Sequence, residues 1–453
     1  AVPHGAALGT RTLKVAAAGG IFMAADVVEV TAITVGPSGV DSNPGSAAAP
    51  FKTLKTAILT AGGGDTIHLL DGTYNAASGE TWGYVIPDNL TIVGDSTEAT
   101  ILDGAGAASN LNGFDASAAL TLKSLTVQHF TIGIDVKKPS SMLTLQDVVL
   151  ASHSYYGISV ESTAMGSTVT MSGAKGLITQ PGHQAIYVAS VPNTTINLTD
   201  GKLQGGSYVI QISGNCSGSK LNVSGTTIEQ LTPNAYSAIY TSISSNPAGT
   251  EFTFDKTTFI GSIDYDDPKG SVTITGSMIQ PKAGYGVNFA GKTLSITGTT
   301  ISMMMNNYPG IYYHSAMLGT MSLKNVTVDG GNYNIQQNAP GSTSKMRGTT
   351  LKNSQSDGYY LQAGDLDLGT AAESGDNIFG SPVAAGGYCL YISRGGGMNG
   401  GGPVTCSGTA FGATGPNDGQ RPSAADSVDA SGGAVTKAPQ LYYVGAGDKL
   451  TFF

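Results

Sequence analysis

Apolar residues recur along this chain in short segments where two apolar side chains flank one of variable polarity. A small residue usually precedes them, as in Gly310-Ile311-Tyr312-Tyr313. Alternation over a few residues predicts a β-strand with one face directed inward. The segments are GFDA at 113, GIDV at 133, GISV at 157, AIYV at 185, VIQI at 209, AIYT at 238, SIDY at 262, GVNF at 286, GIYY at 310, NIQQ at 334, GYYL at 358 and GYCL at 387.

The spacing of these segments is nearly constant. The segments that begin at 238, 262, 286, 310, 334 and 358 are equally spaced, and most of the others follow the same interval. A fixed period in the range of roughly 20–50 residues indicates stacked structural repeats, each of which is unstable alone.

A second series of alternating segments lies between the first. Each is a short strand, a corner rich in Gly, Asp or Asn, and another short strand; these residues suit corners that need unusual backbone angles. Three strands in about 24 residues predict an all-β parallel β-helix of about twelve coils, with three strands per coil. The second series reads LTLKSLTV, LTLQDVVL, INLTDGKL, LNVSGTTI, FTFDKTTF, VTITGSMI, LSITGTTI and MSLKNVTV.

One segment near the start has helical periodicity. PFKTLKTAILTA places Phe51, Leu54 and Ile58 on one face, with Pro50 at the first helical position. An open coil has an unpaired edge, so we expect a capping helix near 50–61 to cover the first coil. The predicted organisation is an N-terminal strand or extension in 1–32, the β-helix with its cap in 33–381, and a final coil and cap of irregular β-structure in 382–453.

Two N-terminal stretches carry a family resemblance. ITVGPSGVDSNPGSAAAPFKTLKTAILTAGGGDTIHLLDGTYN at 33–75 and LTIVGDSTEATILDG at 90–104 resemble the start of pectin-lyase-like proteins, and more narrowly a secreted bacterial family of unassigned function. LDLGTAAESGDNIFGS at 366–381 is similar to the closing turns of that family. The resemblance spans roughly 33–381 and implies a right-handed parallel β-helix. This architecture hosts lyases, hydrolases, epimerases and non-catalytic surface proteins, so the resemblance implies no single activity.

The charge of the chain limits the classes of molecule that we expect it to bind. The formal net charge is −9, with only 22 basic residues among 453, which argues against nucleic acid and anionic membranes as partners. No apolar run reaches the eighteen or so residues of a membrane span. VAAAGGIFMAADVV resembles a weak signal peptide, and the chain starts at Ala1 rather than Met. We therefore expect a secreted protein, extracellular or at the cell surface.

The chain has three cysteines. Cys389 and Cys406 are close in sequence and would pair in an oxidising compartment, leaving Cys216 over. Three independent small buried residues are an equally good interpretation.

The middle residue of each triplet, and the residue two positions later, are predicted to face outward. This assignment puts Cys389 in the first outward row and Tyr391 in the second. Tyrosine rings stack on the apolar faces of sugars and amides hydrogen-bond hydroxyls, so the rows suit an uncharged linear glycan. The alternative is that Tyr merely has high strand propensity. The candidate glycan-binding residues are Tyr187, Gln211, Tyr240, Asn288, Tyr312, His314, Gln336, Tyr360 and Tyr391.

A carboxylate cluster is predicted near the N-terminal end of the β-helix. Asp115, Asp135 and Glu161 fall on successive coils, with Lys137 beside them. Carboxylates on adjacent coils would lie about 5 Å apart, near the separation in retaining glycosidases, and their repulsion would raise one pKa. The alternative is a solvated acidic patch tempered by the lysine.

A second acidic candidate is DYDDP at 264–268. Asp264 and Asp266 would both point outward on one strand, about 7 Å apart. That spacing suits an inverting catalytic pair or a calcium site. The alternative is an acidic turn closed by Pro268. Apart from this possible calcium, the sequence predicts no cofactor.

Several catalytic patterns are missing from the sequence. Lyases of this architecture need basic groups, and the predicted outward rows contain a single Lys and no Arg. The Gly-His-Gly pattern of polygalacturonases is not met, because Gly182-His183 is followed by Gln184. We therefore expect a non-catalytic surface or matrix protein that binds glycan, self-associates, or both. The alternative is a polysaccharide lyase or glycoside hydrolase that uses Asp115 and Asp135 or Asp264 and Asp266.

Overall fold

The structure is a computed structural model of the 453-residue chain. It describes backbone and side chains over 32–412 except at 85, 106–110, 180, 233–236, 244–247, 305–306, 315–317, 384–386 and 394–403. It also describes the backbone of strands at 9–17, 20–30, 428–429, 433–435, 438–444 and 449–452.

The first two strands form a sheet of their own. β1 (Gly9–Ala17) and β2 (Gly20–Val30) pair antiparallel, with an irregularity between Thr12 and Lys14. The segment that resembles a weak signal peptide falls on these two strands. The domain boundaries at residues 32 and 381 remain predictions.

The chain divides into two compact units, unit 1 (1–182) and unit 2 (183–453). The elements of unit 1 after the hairpin are β3 (Ile33–Val35), α1 (Leu54–Thr60), β4 (Thr66–Leu69), β5 (Gly72–Tyr74), a 3-10 turn (Ala76–Ser78), β6 (Leu90–Gly94), β7 (Thr100–Asp103), β8 (Asn112–Ala116), β9 (Ala119–Gln128), β10 (Ile132–Val136), β11 (Met142–Ala151), β12 (Tyr156–Val160), β13 (Thr168–Ser172) and β14 (Leu177–Thr179).

The predicted capping helix is present but starts later than expected. Its N-cap is Thr53, whose side chain accepts a hydrogen bond from the Thr56 N–H, so Pro50 precedes the helix. Phe51 instead forms a β-bridge with Val35. Phe51, Leu54 and Ile58 are all buried, as the periodicity predicted.

The helices and strands described in unit 2 are all β-strands. They are β15 (Ile186–Ala189), β16 (Thr195–Thr199), β17 (Lys202–Gly205), β18 (Ile210–Ser213), β19 (Lys220–Ser224), β20 (Thr227–Gln230), β21 (Ile239–Ser242), β22 (Glu251–Asp255), β23 (Thr258–Ile260), β24 (Ile263–Thr275), β25 (Met278–Ile279), β26 (Val287–Thr297), β27 (Thr300–Ser302), β28 (Ile311–Tyr313), β29 (Thr320–Lys324), β30 (Thr327–Asp329), β31 (Ile335–Arg347), β32 (Thr350–Lys352), β33 (Tyr359–Leu368), β34 (Ile378–Phe379), β35 (Leu390–Ser393), β36 (Val404–Cys406), β37 (Ala410–Phe411), β38 (Val428–Asp429), β39 (Gly433–Val435), β40 (Ala438–Val444) and β41 (Lys449–Phe452).

Strand pairing within each unit confirms the predicted parallel β-helix. In unit 1, β8, β10 and β12 pair in parallel through residues one coil apart, and in unit 2 β18, β19 and β20 pair in parallel with β21, β22 and β23. A coil contains three strands, or two where the first and second strands merge, as in β24 and β26. The two units together contain about twelve coils.

The corners between the second and third strands explain why Gly, Asp and Asn recur there. Asp200, Lys256 and Asn325 have positive φ angles of 56°, 47° and 54°. Gly348, on the coil after Asn325, has φ 59°, and a Cβ at this glycine would lie 2.4 Å from Asn325 Oδ1. Left-handed backbone angles make these corners sharp.

Buried hydroxyls form a ladder beside these corners in unit 2. The Ser277 Oγ accepts a hydrogen bond from the Thr257 N–H at 3.0 Å, and the Thr299 Oγ1 accepts one from the Ser277 N–H at 3.3 Å. All three residues are buried. Since a buried N–H needs an acceptor, the Ser- and Thr-rich composition supplies acceptors at places where strand pairing does not.

The inward face of the first strands is aromatic as well as aliphatic. Ile311 and Tyr313 are both 0 % exposed. Tyr265, Phe289 and Tyr313 follow one another on successive coils, with ring centroids 5.4 and 5.7 Å apart. The predicted alternation of Tyr312 outward and Tyr313 inward is therefore confirmed.

The C-terminal strands close the last described coil of unit 2. β40 pairs in parallel with β35, and its other edge is paired with antiparallel β39. β41, which contains Leu450 to Phe452, pairs in parallel with β36 and antiparallel with β38. The apolar C-terminal segment thus docks on its own chain. Filament growth by strand addition at β40 or β41 would first have to displace β38 and β39.

Cys216, Cys389 and Cys406 are buried thiols, and the pairing considered for Cys389 and Cys406 does not occur. Cys389 Sγ lies 3.4 Å from the carbonyl oxygens of Phe379 and Gly380, and burial raises its pKa to about 12. In the part of the chain that the structure describes, no helix is long and apolar enough to cross a membrane.

Replacing a rung of the hydroxyl ladder should destabilise the fold. In Ser277→Ala the buried Thr257 N–H loses its acceptor, and we expect the free energy of unfolding to fall by about 1–3 kcal/mol. Urea denaturation followed by circular dichroism measures the change. Ser322→Ala, on exposed strand surface of the same unit, is the control and should have little effect; equal midpoints for both variants would contradict the ladder's role.

Candidate functional site

One outward row of side chains runs along unit 2, in parallel register from coil to coil. We call it the tyrosine-amide row. All nine of its side chains are half-buried. The row consists of Tyr187, Gln211, Tyr240, Asp264, Asn288, Tyr312, Gln336, Tyr360 and Tyr391.

The register corrects one sequence assignment. Tyr360 pairs with Tyr391, so Tyr391 belongs to the same row as Tyr360 and not to the next outward row. Cys389, predicted to be outward, is 0 % exposed. The last triplet follows a longer loop than the others, and its alignment by a preceding Gly was therefore wrong.

A second set of tyrosines lies at the corners just before the row strands, and sequence reasoning missed it. Tyr208 stacks on Tyr240 with centroids 4.4 Å apart and an interplanar angle of 19°. Tyr333 packs against Tyr360 at 5.1 Å. Most members lie two residues before the first strand residue, a spacing that would have revealed them. We call Tyr208, Tyr285, Tyr308, Tyr333 and Tyr388 the corner tyrosines.

Tyr312 is the centre of the densest part of the surface. Its ring stacks on corner residue Tyr285 at 5.4 Å and on His314 at 4.5 Å, with interplanar angles of 16° and 19°. Tyr308 lies edge-on to Tyr285 at 5.0 Å. The segment GIYY at 310 therefore contributes Tyr312 to a stacked aromatic cluster.

A hydrogen-bonded chain crosses three coils beside this cluster. The Asn288 Nδ2 donates to Asp264 Oδ1 at 2.8 Å, and the Asn288 Oδ1 accepts from His314 Nε2 at 2.8 Å. The amide orientation requires His314 to carry its proton on Nε2. Burial raises the pKa of Asp264, an effect that the Asn288 hydrogen bond opposes and Asp266 strengthens. Burial lowers the pKa of His314, while Asp266 opposes that change.

Of the acidic pair predicted in β24, only one carboxylate is fully open to a substrate or an ion. Asp266 is exposed, but Asp264 is half-buried and bonded to Asn288. Asp267 is buried and accepts hydrogen bonds from the N–H and Oγ1 of Thr250 at 2.7 and 2.9 Å. β24 continues through Pro268, with a register shift after Asp267 instead of a chain-reversing turn.

No group of three or more His, Cys, Asp or Glu side chains within the described part of the chain is arranged to hold a metal ion. Calcium binding at Asp264 and Asp266 stays a prediction of the sequence.

The carboxylate cluster of unit 1 is assembled as predicted, but Asp135 is not accessible. Asp115 and Asp135 are register partners, and Asn112 Nδ2 donates to Asp115 Oδ1 at 2.9 Å and to Asp135 Oδ2 at 3.1 Å. Lys137 Nζ lies 3.0 Å from Asp115 Oδ1 and 3.5 Å from Asp135 Oδ2. Asp135 is only 3 % exposed. Asp135 has the predicted register, but it is not open to solvent, because neighbouring side chains cover it.

The buried carboxyl of Asp135 is electrostatically unusual. Burial, and next the nearby Glu161, raise its pKa to about 7, although Lys137 opposes the change. Asp135 Oδ1 is buried and accepts no hydrogen bond. The cluster therefore presents little of Asp135 to a substrate.

Comparison with known families agrees with this architecture. Residues 37–249 match the family model described as a protein of unknown function (DUF1565). The chain is a parallel β-helix protein. The family that it matches has no assigned function, and no curated protein sequence is significantly similar to the chain.

Several solved structures match the chain at low sequence identity. A GH87 alpha-1,3-glucanase catalytic domain in complex with tetrasaccharides has 14% identity and a TM-score of 0.43, with 67% of this chain and 68% of that chain covered. The A-module of Azotobacter vinelandii mannuronan C-5 epimerase AlgE6 has 14% identity and a TM-score of 0.36, with 78% and 92% covered. XylC with xylose has 11% identity and a TM-score of 0.36, with 77% and 75% covered. Similarity at this level identifies no activity for the chain.

The raised pKa of Asp135 predicts a pH-dependent stability. Between about pH 4, where an unfolded aspartate titrates, and about pH 7, the folded state retains a proton that the unfolded state releases. The contribution of Asp135 to the free energy of unfolding is therefore complete below about pH 4 and is lost as the pH rises to about 7.

Asp135→Asn removes this titration. We therefore expect the free energy of unfolding of the variant to rise relative to that of the wild type between about pH 4.5 and about pH 8, by at most about 4 kcal/mol. Urea denaturation at several pH values measures the difference. Asp376→Asn, at an exposed carboxylate of unit 2, is the control. Parallel stability curves for wild type and Asp135→Asn would show that Asp135 has an ordinary pKa.

Proposed function

We propose that the tyrosine-amide row of unit 2 is the binding surface for a linear, uncharged glycan. The supporting observation is the register of the row, in which nine half-buried tyrosine, amide and acidic side chains follow one another on successive coils. Neighbouring strands are spaced about 4.8 Å apart, close to the length of one pyranose unit. Successive sugars of an extended chain would thus meet successive side chains over roughly 38 Å.

The charge of the row favours a neutral ligand. Asp264 is its single ionisable carboxyl, and the row contains no Lys or Arg. Burial lowers the pKa of His314, which favours its neutral form, although Asp266 opposes the change. A uronate-rich polysaccharide would find no cation in the row to balance its charge.

Stacking among the tyrosines makes the surface rigid and changes the expected contact. Tyr312 stacks on Tyr285 and His314, and Tyr240 stacks on Tyr208. Neighbouring rings therefore cover ring faces that an isolated tyrosine would offer to a sugar. We infer that a glycan meets ring edges, phenol hydroxyls and amides, held in place before binding, which lowers the entropy lost on association.

The biological setting of the proposal is extracellular. The low charge and the resemblance to a secreted family support a secreted protein, at the cell surface or in the extracellular matrix, that acts without catalysis in adhesion or as a scaffold. Self-association is the less favoured part of this hypothesis, since β38 and β39 already occupy edges of β40 and β41.

Disrupting the row should weaken glycan binding. Tyr312→Ala removes the ring between Tyr285 and His314, and Gln336→Ala removes an amide on the next coil. We expect each to weaken binding of the best ligand from a panel of neutral polysaccharides by about tenfold, the equivalent of one lost good contact. Affinity electrophoresis identifies the ligand, and calorimetry measures the affinity.

Met278→Ala is the matched control, because Met278 is an exposed side chain on a third strand of the same unit, outside the row. It should bind like the wild type. Circular dichroism verifies that Tyr312→Ala is folded. If the wild type binds no neutral polysaccharide, or if both row variants bind as the control does, the proposal fails.

A hydrolase is the second candidate. It is favoured by the raised pKa of Asp264, which lies near the exposed Asp266 and the half-buried His314. Under the proposed binding function we expect no new reducing ends from any polysaccharide that the protein retains, because Asp264 is tied to Asn288. Cleavage by the wild type that Asp264→Asn abolishes would establish the hydrolase instead.

A further inference from the structure

A cavity of about 350 Å³ lies at the corners that follow the third strands of unit 2. It extends over four consecutive coils, since Ser302, Asp329 and Lys352 are register partners and Val383 follows on the next coil. Among the described residues, its lining consists of Ser302, Met304, Asp329, Gly330, Gly331, Asn353, Gln355 and Val383.

Two glycines in the lining of this cavity occupy positions that disfavour a side chain. Gly330 and Gly331 both have φ 87°. A Cβ on Gly331 would lie 2.9 Å from the carbonyl oxygens of Tyr308 and Tyr333, which are both corner tyrosines. Gly331 therefore joins the lining of the cavity to the backbone of two corner tyrosines.

The polar groups of the cavity are arranged for a neutral partner. Asp329 accepts a hydrogen bond from Asn353 Nδ2 at 2.7 Å and pairs with Lys352 Nζ at 3.1 Å. Its charge is thus balanced, so an anionic ligand would meet a carboxylate and a cationic ligand would have to displace Lys352. Ser302 and Gln355 add a hydroxyl and an amide for hydrogen bonds with hydroxyl groups.

Two apolar side chains lie at the lining of the same cavity and are largely exposed. Met304 is 74 % exposed and Val383 is 69 % exposed. Binding of a ligand that covers large apolar groups is favourable, because it removes apolar surface from water. Sugar rings have an apolar face of C–H groups and an edge of hydroxyls, and this cavity offers apolar walls together with hydrogen-bonding groups.

We propose that this cavity binds one or two neutral sugar rings, as a subsite beside the tyrosine-amide row. The proposal rests on the proposed function for its biological sense, but it concerns different residues. A branch or an end of the glycan would occupy the cavity while the main chain follows the row.

The test uses small probes that are too short to span the row. Methyl glycosides of glucose, galactose, mannose and xylose are titrated into the whole chain and followed by saturation-transfer NMR. Val383→Trp fills the cavity from its exposed wall, and Gln355→Ala removes its amide. Val40→Trp, at an exposed valine of unit 1, is the matched control.

We expect at least one glycoside to bind the wild type and Val40→Trp equally, and to bind Val383→Trp and Gln355→Ala roughly tenfold more weakly. Absence of binding at tens of millimolar, or binding that Val383→Trp leaves unchanged, would overturn the proposal. Polysaccharide affinity, measured in parallel on Tyr312→Ala, separates the two proposals. If polysaccharide binding depends on Tyr312 but no glycoside binds, the proposal for the row stands and the proposal for the cavity fails.

Discussion

Register between successive coils is the constraint on which this structure depends. Each parallel strand bonds to the strand one coil away, and side chains alternate with a period of two. A slip of one residue would turn Tyr312 inward and expose Tyr313, which is completely buried. The left-handed corners and the buried hydroxyl ladder hold this register, because each fixes a backbone position that strand pairing alone leaves loose.

A consequence of fixed register is that polar side chains from distant parts of the sequence become neighbours. Asp264, Asn288 and His314 are far apart in sequence yet form one hydrogen-bonded chain. The Asp135 environment arises in part in the same way, since Asn112 and Glu161 come from the two adjacent coils, whereas Lys137 directly follows the strand of Asp135. In both clusters burial is the largest cause of the raised pKa of the aspartate.

Much of the fold was accessible from the sequence because the repeat is regular. The constant period placed Tyr312 outward and Ile311 inward, and it aligned most of the tyrosine-amide row. The prediction was wrong at Cys389 and Tyr391, where a longer loop breaks the period.

The burial of Asp135 was missed for a different reason. It depends on the conformations of side chains on adjacent coils, which strand periodicity does not specify. The same limit explains the ring stacking. The pattern predicted open tyrosine faces, whereas the corner tyrosines and His314 cover parts of them.

The antiparallel strands β38 and β39 determine more than the stability of the last coil. A parallel β-helix is in principle open-ended, since each layer is a template for another. Here the chain folds back and places strands of opposite direction on that template. The edges of β40 and β41 are therefore already paired, which makes the last coil a poorer template for a further layer than the coils before it.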